Sequence, residues 1–385
     1  MQGRPVAVVT GIGIVTSLGQ DMADNWAALT AGRSGIHRIT RFATDGLSTK
    51  IAGTIDDFDV GQISAPGLAK AFATASISEA ISQSAIGSPS SFPGPLIVAT
   101  PPAEVEWPLR RQVYESARNG SPVSNAQMKR TAREGAYQDK HALFLYGHVA
   151  EYLAGKFGTR GQPISLSTAC ASGSTAIQLG VEAIRRGETD AALCVGTDGS
   201  VHAESLIRFS LLSALSTRND PPEQASKPFA KGRDGFVMAE GSATLVLESY
   251  DGAKARGARI LGVVRGCGES ADDFHRTRSK PDGTPIISAS RNALDDAGVT
   301  PRQIDYINAH GTSTPENDKM EYLSLATVFS EALANTPISS NKSIAGHTLT
   351  AAGAVEAAFS LMTISSGTIP PTINYDTPDP EMPLD

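Results

Sequence analysis

Twice in this chain a strand signal opening Pro-Ile-Ser breaks into small residues and runs on into an amphipathic helix, as PISLSTAC from Pro163 and as PISSNKSI from Pro337. After the first, Ile177, Val181 and Ile184 fall at i, i+4 and i+7, and after the second Val355, Phe359 and Met362 do, the spacing of a single apolar helix stripe. A second pair of runs, PVAVVTGIG from Pro5 and ILGVVRGCG from Ile260, reads as buried strands ending in Gly-x-Gly. Ordered pairs of matching signals imply a duplicated α/β unit. Further strands are expected at PLIVAT from Pro95, AALCVG from Ala191, ATLVLE from Ala243 and IDYINA from Ile304, and a helix from Asp21 to Ala31 stopped by Gly32. Alternating strands and helices imply mostly parallel sheets covered by helices.

A chain of 385 residues is long for one core, since cores stop growing at roughly 250 to 300 residues. It divides into 1–250 and 251–385, with the polar, proline-punctuated segment 101–135 as an excursion from the first half. The net charge of -7 argues against nucleic acid or an anionic membrane as partner. Three unclustered cysteines, Cys170, Cys194 and Cys267, argue against a disulfide framework and for a reducing compartment. The N-terminus has no signal-peptide core, and no apolar run approaches the length of a membrane span. A soluble cytoplasmic protein is expected.

Cys170 sits where a strand turns into a helix, among Ala169, Ala171, Ser172, Gly173 and Ser174. A helix N-terminus lowers a thiol's pKa toward the thiolate, so this is a nucleophile's position. Cys194, inside an apolar strand, and Cys267, between two glycines, read instead as structural thiols. His310 closes a strand before Gly311, at the end where open α/β sheets place their sites. His347 begins the helix that mirrors the one after Cys170, so the duplication brings the two toward each other. Lys342 stands in the equivalent of the nucleophile loop. His37, His141, His148, His202 and His275 read as surface or satisfied core. Two other chemistries use the same residues. Gly11-Ile12-Gly13 after a strand suggests a dinucleotide loop, weakened by Thr16 at the third glycine position; Cys170, His310 and His347 could ligate zinc, against which Lys342 counts.

The segments TACASGS, KPFAKGRDGFVMAEGSATLVLE, NAHGTSTPENDKMEY and NKSIAGHTLTAAGAVEA together resemble the elongating β-ketoacyl-acyl carrier protein synthases, in the right order over nearly the whole chain. The resemblance implies a thiolase-like fold of two duplicated α/β halves in a five-layered αβαβα arrangement, as a homodimer. It implies decarboxylative condensation of malonyl-carrier protein with a cysteine-bound acyl chain in fatty-acid elongation, with acyl carrier protein as partner. No cofactor is expected on the enzyme, because phosphopantetheine arrives on the carrier. Carried over, Cys170 is the acylated nucleophile, His310 and His347 hold the malonyl thioester and its enolate, and Lys342 and Glu356 complete the network. Asp318 and Glu321 match a supporting acidic pair, Thr312 and Thr314 match hydroxyls that meet the pantetheine arm, and Phe229 matches an aromatic near the entrance. Carrier docking is expected at Arg110, Arg111, Lys129, Arg130 and Arg133.

Three departures from the family stand out. Pro101, Pro102, Glu104, Glu106 and Trp107 replace a glycine-rich run beside the acyl pocket, and Arg276 stands after Phe274 and His275 where a methionine is frequent. The family continues past Asp385 into further strands and a gating turn. From that ending, a shortened form is expected, with Val355, Phe359 and Met362 losing neighbours; a non-catalytic partner subunit is the alternative reading.

Overall fold

A computed structural model of the chain describes residues 6–58, 64–102, 104–118, 122–134, 137–275 and 278–384; Arg276 lies outside them. The strands, in chain order, are β1 Ala7–Thr16, β2 His37–Arg38, β3 Ile51–Ala52, β4 Leu96–Ala99, β5 Ile164–Leu166, β6 Ala191–Asp198, β7 Gly241–Ser249, β8 Gly262–Val264, β9 Ile307–Asn308 and β10 Ile338–Ser339. Six of them form one sheet in the order β5-β4-β6-β7-β1-β8. The expectation of mostly parallel pairing fails here. β4 runs parallel to β5 and β6, but β7 lies between β6 and β1 and runs against both. β8 is antiparallel to β1, so the two matching strand signals of the sequence lie side by side. β9 and β10 form a separate parallel pair.

β1 does not end at its Gly-x-Gly but continues to Thr16. A Cβ at Gly11 would stand 2.2 Å from the Ala80 carbonyl oxygen, and one at Gly13 2.0 Å from that of Ser76. These glycines let the helix Ala65–Ser84 lie directly on the strand. They are packing positions and make no phosphate loop.

That helix and His148–Phe157 cover one face of the sheet through Ile77, Ile81, Leu153 and Phe157. Helices Ser172–Arg185 and Ala352–Ser366 cover the other through Ile177, Val181, Ile184, Val355 and Phe359. Beyond them, Asn308 of β9 donates to the Glu356 carbonyl at 3.0 Å and to Ser360, which seats the β9–β10 pair on the middle helices. Helices Thr284–Ala297 and Pro315–Phe329 lie outermost. The order is αβαβα, the five layers of a thiolase-like fold.

By length and composition the stretch Leu349–Ser366, 18 residues at mean hydropathy 1.2, could cross a membrane, contrary to the sequence reading. The fold uses it as a core helix. Val355 and Phe359 are buried with Ile14, Leu29 and Ile344, and Met362 packs beside them, so the expected loss of neighbours does not occur. The first sheet supplies those neighbours.

The two middle helices meet at their starts. A Cβ on Gly173 would be 2.5 Å from the Ala354 nitrogen, and one on Gly353 2.6 Å from the Ser174 nitrogen. Only glycine allows backbones this close. The crossing carries the loops before both helices to one point.

The described part of the excursion forms the helices Trp107–Ala117 and Asn125–Arg133, followed by Gln138–Leu143. It is tied to the helix Ala203–Leu211 by Arg110 with Glu204, by the Trp107 N–H to Glu204 at 2.7 Å and by Arg208 to Glu104 at 2.5 Å.

Candidate active site

After β5 the chain turns through Ala169 at φ 52, a left-handed conformation that costs a non-glycine residue roughly 1–3 kcal/mol. Ser172 holds the turn, accepting the Thr168 N–H at 2.8 Å and donating to the Ala169 carbonyl at 2.5 Å. Cys170 is thereby presented just ahead of the helix. His310 follows β9, and the Glu321 carboxylate takes the backbone N–H of both His310 and Gly311 at 2.7 Å each. Asp318 takes the N–H of Phe229 and Ser313 at 2.8 and 3.2 Å. The acidic pair therefore fixes backbone. His347 is held through its own backbone, its N–H donating to Val237 at 2.8 Å and its carbonyl accepting from Ala239 at 2.9 Å.

The three side chains converge: the Cys170 sulfur and one ring nitrogen each of His310 and His347 lie within 4.8 Å of one another. The rings meet edge to face at 5.2 Å, and His347 meets Phe236 the same way at 5.2 Å. Lys342 completes the group with three donors and three acceptors, bonding the Glu356 carboxylate, the His310 carbonyl at 2.7 Å and His310 Nδ1 at 3.2 Å. An ammonium has no lone pair, so His310 Nδ1 accepts and the ring proton sits on Nε2. The Leu349 N–H donates to His347 Nδ1 at 3.2 Å, which fixes the same tautomer there. Each imidazole is left with an Nε2–H to donate.

Burial, followed by the charge of Lys342, holds both histidines well below the ordinary value of 6.5. They are neutral donors at any physiological pH. Cys170 departs from expectation: burial pushes its thiol up to about 11, against the pull of Lys342 and of its own backbone N–H. Desolvation outweighs the helix N-terminus. Burial also raises the Glu356 carboxyl, opposed by Lys342, and takes Glu321 up to about 7.

Cys170, His310 and His347 line a cavity of about 530 Å³ that also takes in Thr312 and Thr314, whose hydroxyls meet at 2.9 Å. Phe229 is a correction. It is 3% exposed and packs with Ala309 and Met382 behind Gly311, outside the cavity lining, because its backbone is turned at φ 61 and held there by Asp318. Phe209 and Phe236 line the cavity instead. Asp198, which the sequence reading passed over, is also on the lining, with Glu106 of the departing run beside the acyl pocket and with His202, read from sequence as surface or satisfied core. Asp198, at the end of β6, accepts the Thr350 hydroxyl at 2.7 Å and anchors the turn after His347. The signal for His202 was Ser205 three residues on, one turn of a helix away.

The chain matches the family description "Beta-ketoacyl synthase, N-terminal domain" over residues 4–82 and 116–253, and "Beta-ketoacyl synthase, C-terminal domain" over 261–376. It is 35% identical to 3-oxoacyl-acyl-carrier-protein synthase 2 of Coxiella burnetii, covering 100% of this chain and 92% of that one. It is 34% identical to the protein of that name from Staphylococcus aureus, with 98% and 90% covered. Among solved structures, a beta-ketoacyl synthase from Burkholderia phymatum superposes with a TM-score of 0.82 at 31% identity, over 99% of this chain and 91% of that one. The ketosynthase of a type II polyketide synthase, solved with its acyl-carrier protein and a bound hexaketide, superposes with a TM-score of 0.84 at 28% identity, over 100% and 92%.

The thiol's environment has a direct readout. Iodoacetamide alkylation of Cys170, followed by peptide mapping, climbs roughly tenfold per pH unit from about pH 7 to about pH 10 without levelling, because only the thiolate reacts. Levelling below about pH 8 would mean that the helix N-terminus prevails over burial after all.

Proposed function

Since the chain belongs to the beta-ketoacyl synthase family, we propose that it is a 3-oxoacyl-acyl carrier protein synthase, condensing malonyl-carrier protein with an acyl chain on Cys170 in fatty-acid elongation. The observation that carries this reading is the placement of one thiol and two neutral Nε2–H donors within 4.8 Å on one cavity. In the first half-reaction the Cys170 sulfur attacks the acyl thioester of the carrier. The thiol proton leaves with the departing phosphopantetheine sulfur, so the exchange is neutral overall. In the second, malonyl thioester loses carbon dioxide, and the electron pair left behind places negative charge on the thioester oxygen. Two N–H donors fixed before that charge develops stabilise it without reorganisation. The α-carbon then attacks the acyl carbonyl on Cys170, and collapse of the adduct expels the cysteine sulfur, which takes up one proton from water, and leaves a 3-oxoacyl-carrier protein.

Lys342 acts at one remove, keeping His310 in the donor tautomer while Glu356 balances its charge. The chemistry needs no bound cofactor. A non-catalytic partner subunit would have no use for a thiol set against two tautomer-fixed imidazoles.

The carrier protein is the proposed partner, met by Lys129, Arg130 and Arg133 on the exposed face of the helix Asn125–Arg133. Arg110 and Arg111 leave that surface, being paired with Glu204 and Glu115. A second copy is the other proposed partner. β5 is a sheet edge with Ile164 44% exposed and Leu145 and Tyr146 exposed nearby, and unpaired edges of this kind are templates for another strand. Its three cysteines are free thiols, in keeping with a cytoplasmic setting.

Sedimentation equilibrium tests the assembly: the native chain is expected as a dimer and Ile164→Lys as a monomer, and a monomeric native chain would remove the edge pairing. For the chemistry, His310→Ala and His347→Ala each lower malonyl-carrier protein decarboxylation about a hundred- to a thousand-fold, the loss of one oxyanion donor, while Cys170 acylation suffers less. With both imidazoles neutral far below 6.5, the native decarboxylation rate has no histidine limb between about pH 6 and about pH 7. Decarboxylation at the native rate in both variants would sink the donor role.

A further inference from the structure

The cavity at Cys170 is polar on a wall that the condensation chemistry does not use. Glu106, His202 and Ser205 lie on it, with the ion pair of Arg208 and Glu104 beside them. Glu106 is 9% exposed. One of its carboxylate oxygens takes the Ala65 N–H at 2.5 Å, and the other has no protein partner among the described residues. His202 Nε2 meets the Ser205 hydroxyl at 2.9 Å, and its Nδ1 has no protein partner among the described residues. Burial raises the Glu106 carboxyl, and burial, followed by Arg208, brings His202 down to about 4. The wall thus presents a desolvated carboxyl and a neutral imidazole. An unbranched alkyl chain filling this space would displace water from both and offer nothing in return, which is the costly way to bury a polar group.

We propose that the acyl chain this site selects carries a hydroxyl or keto oxygen beyond its thioester, read by Glu106, His202 and Ser205. The proposal rests on Cys170 being the acyl acceptor. A neutral oxygen group suits the wall better than a charged one: a second carboxylate would face Glu106, and an ammonium would require Glu106 to ionise against its burial. Of the three, Glu106 falls between the two stretches that match the family's N-terminal domain, 4–82 and 116–253, whereas His202 and Ser205 lie within the second. Specificity of this kind is strong in principle, because a pocket that hydrogen-bonds a substrate oxygen leaves its own groups unpaired when the oxygen is missing.

The test follows acylation of Cys170 in the full chain by intact-protein mass spectrometry. The probes are N-acetylcysteamine thioesters: octanoyl, and the same chain with a keto or hydroxyl oxygen at each interior odd-numbered carbon. At least one oxygenated chain is expected to acylate about ten- to a hundred-fold faster than octanoyl, the range of one buried hydrogen-bonding group left unpaired. Replacing His202→Phe together with Ser205→Ala is expected to erase the preference by raising the octanoyl rate and lowering the other. Glu106→Gln, which keeps an oxygen for the Ala65 N–H and so guards against a folding defect, is expected to shift which chain is preferred. Equal rates for all chains on the native protein, or a preference unchanged in both variants, would overturn the proposal while leaving Cys170 as acceptor. Label absent from Cys170 with every probe would instead overturn the reading on which it rests.

Discussion

The contact on which the site depends is the crossing of two helix starts at Gly173 and Gly353, where a Cβ on either would stand within 2.6 Å of a backbone nitrogen of the other helix. Each helix follows a loop that bears one reacting group, Cys170 before one and His347 before the other. A side chain at either glycine would hold the loops apart. His310 reaches the same point from β9, seated on these helices by the Asn308 amide. The duplicated architecture is thus what makes one site from two half-sites.

Electrostatics then decides what the site can do. Lys342 is buried with three acceptors for its three donors, and Glu356 offsets its charge. Its effect falls on the rings: it fixes the His310 tautomer and, with burial, keeps both imidazoles neutral. An imidazolium pair could bind an enolate tightly, but it would hold the malonyl carboxylate as well and oppose its loss. Neutral donors favour the charge that forms on the thioester oxygen over the charge that is already present. The same burial keeps the Cys170 thiol protonated, consistent with an exchange in which the proton leaves with the departing thiol.

The groups legible from sequence were those whose setting is local. Cys170, His347 and Lys342 stand in two loops whose repeat implied their approach, His310 was placed by the end of its strand, and Glu356 came from the resemblance to the family. What was misjudged depends on distant chain. The acidity of Cys170 follows from desolvation by several elements, which a helix N-terminus alone does not reveal. Phe229 is turned away from the cavity by the bond its N–H donates to Asp318 on the distant helix Pro315–Phe329. Gly11 and Gly13 read as a loop because the helix pressed on them comes from residues 65–84. Glu106 was noticed only as a departure from the family and His202 was read as surface or satisfied core, because only the fold brings the excursion and the start of the helix Ala203–Leu211 onto one wall of the cavity.

The central claim is that the glycine crossing sets the distance between thiol and imidazoles, and Gly353→Ala tests it most directly when condensation is measured beside the far-ultraviolet circular dichroism spectrum. The account predicts an unchanged spectrum with condensation reduced about a hundred-fold, the effect of roughly 1 Å of misplacement among reacting groups. Condensation at the native rate in a folded Gly353→Ala protein would contradict it.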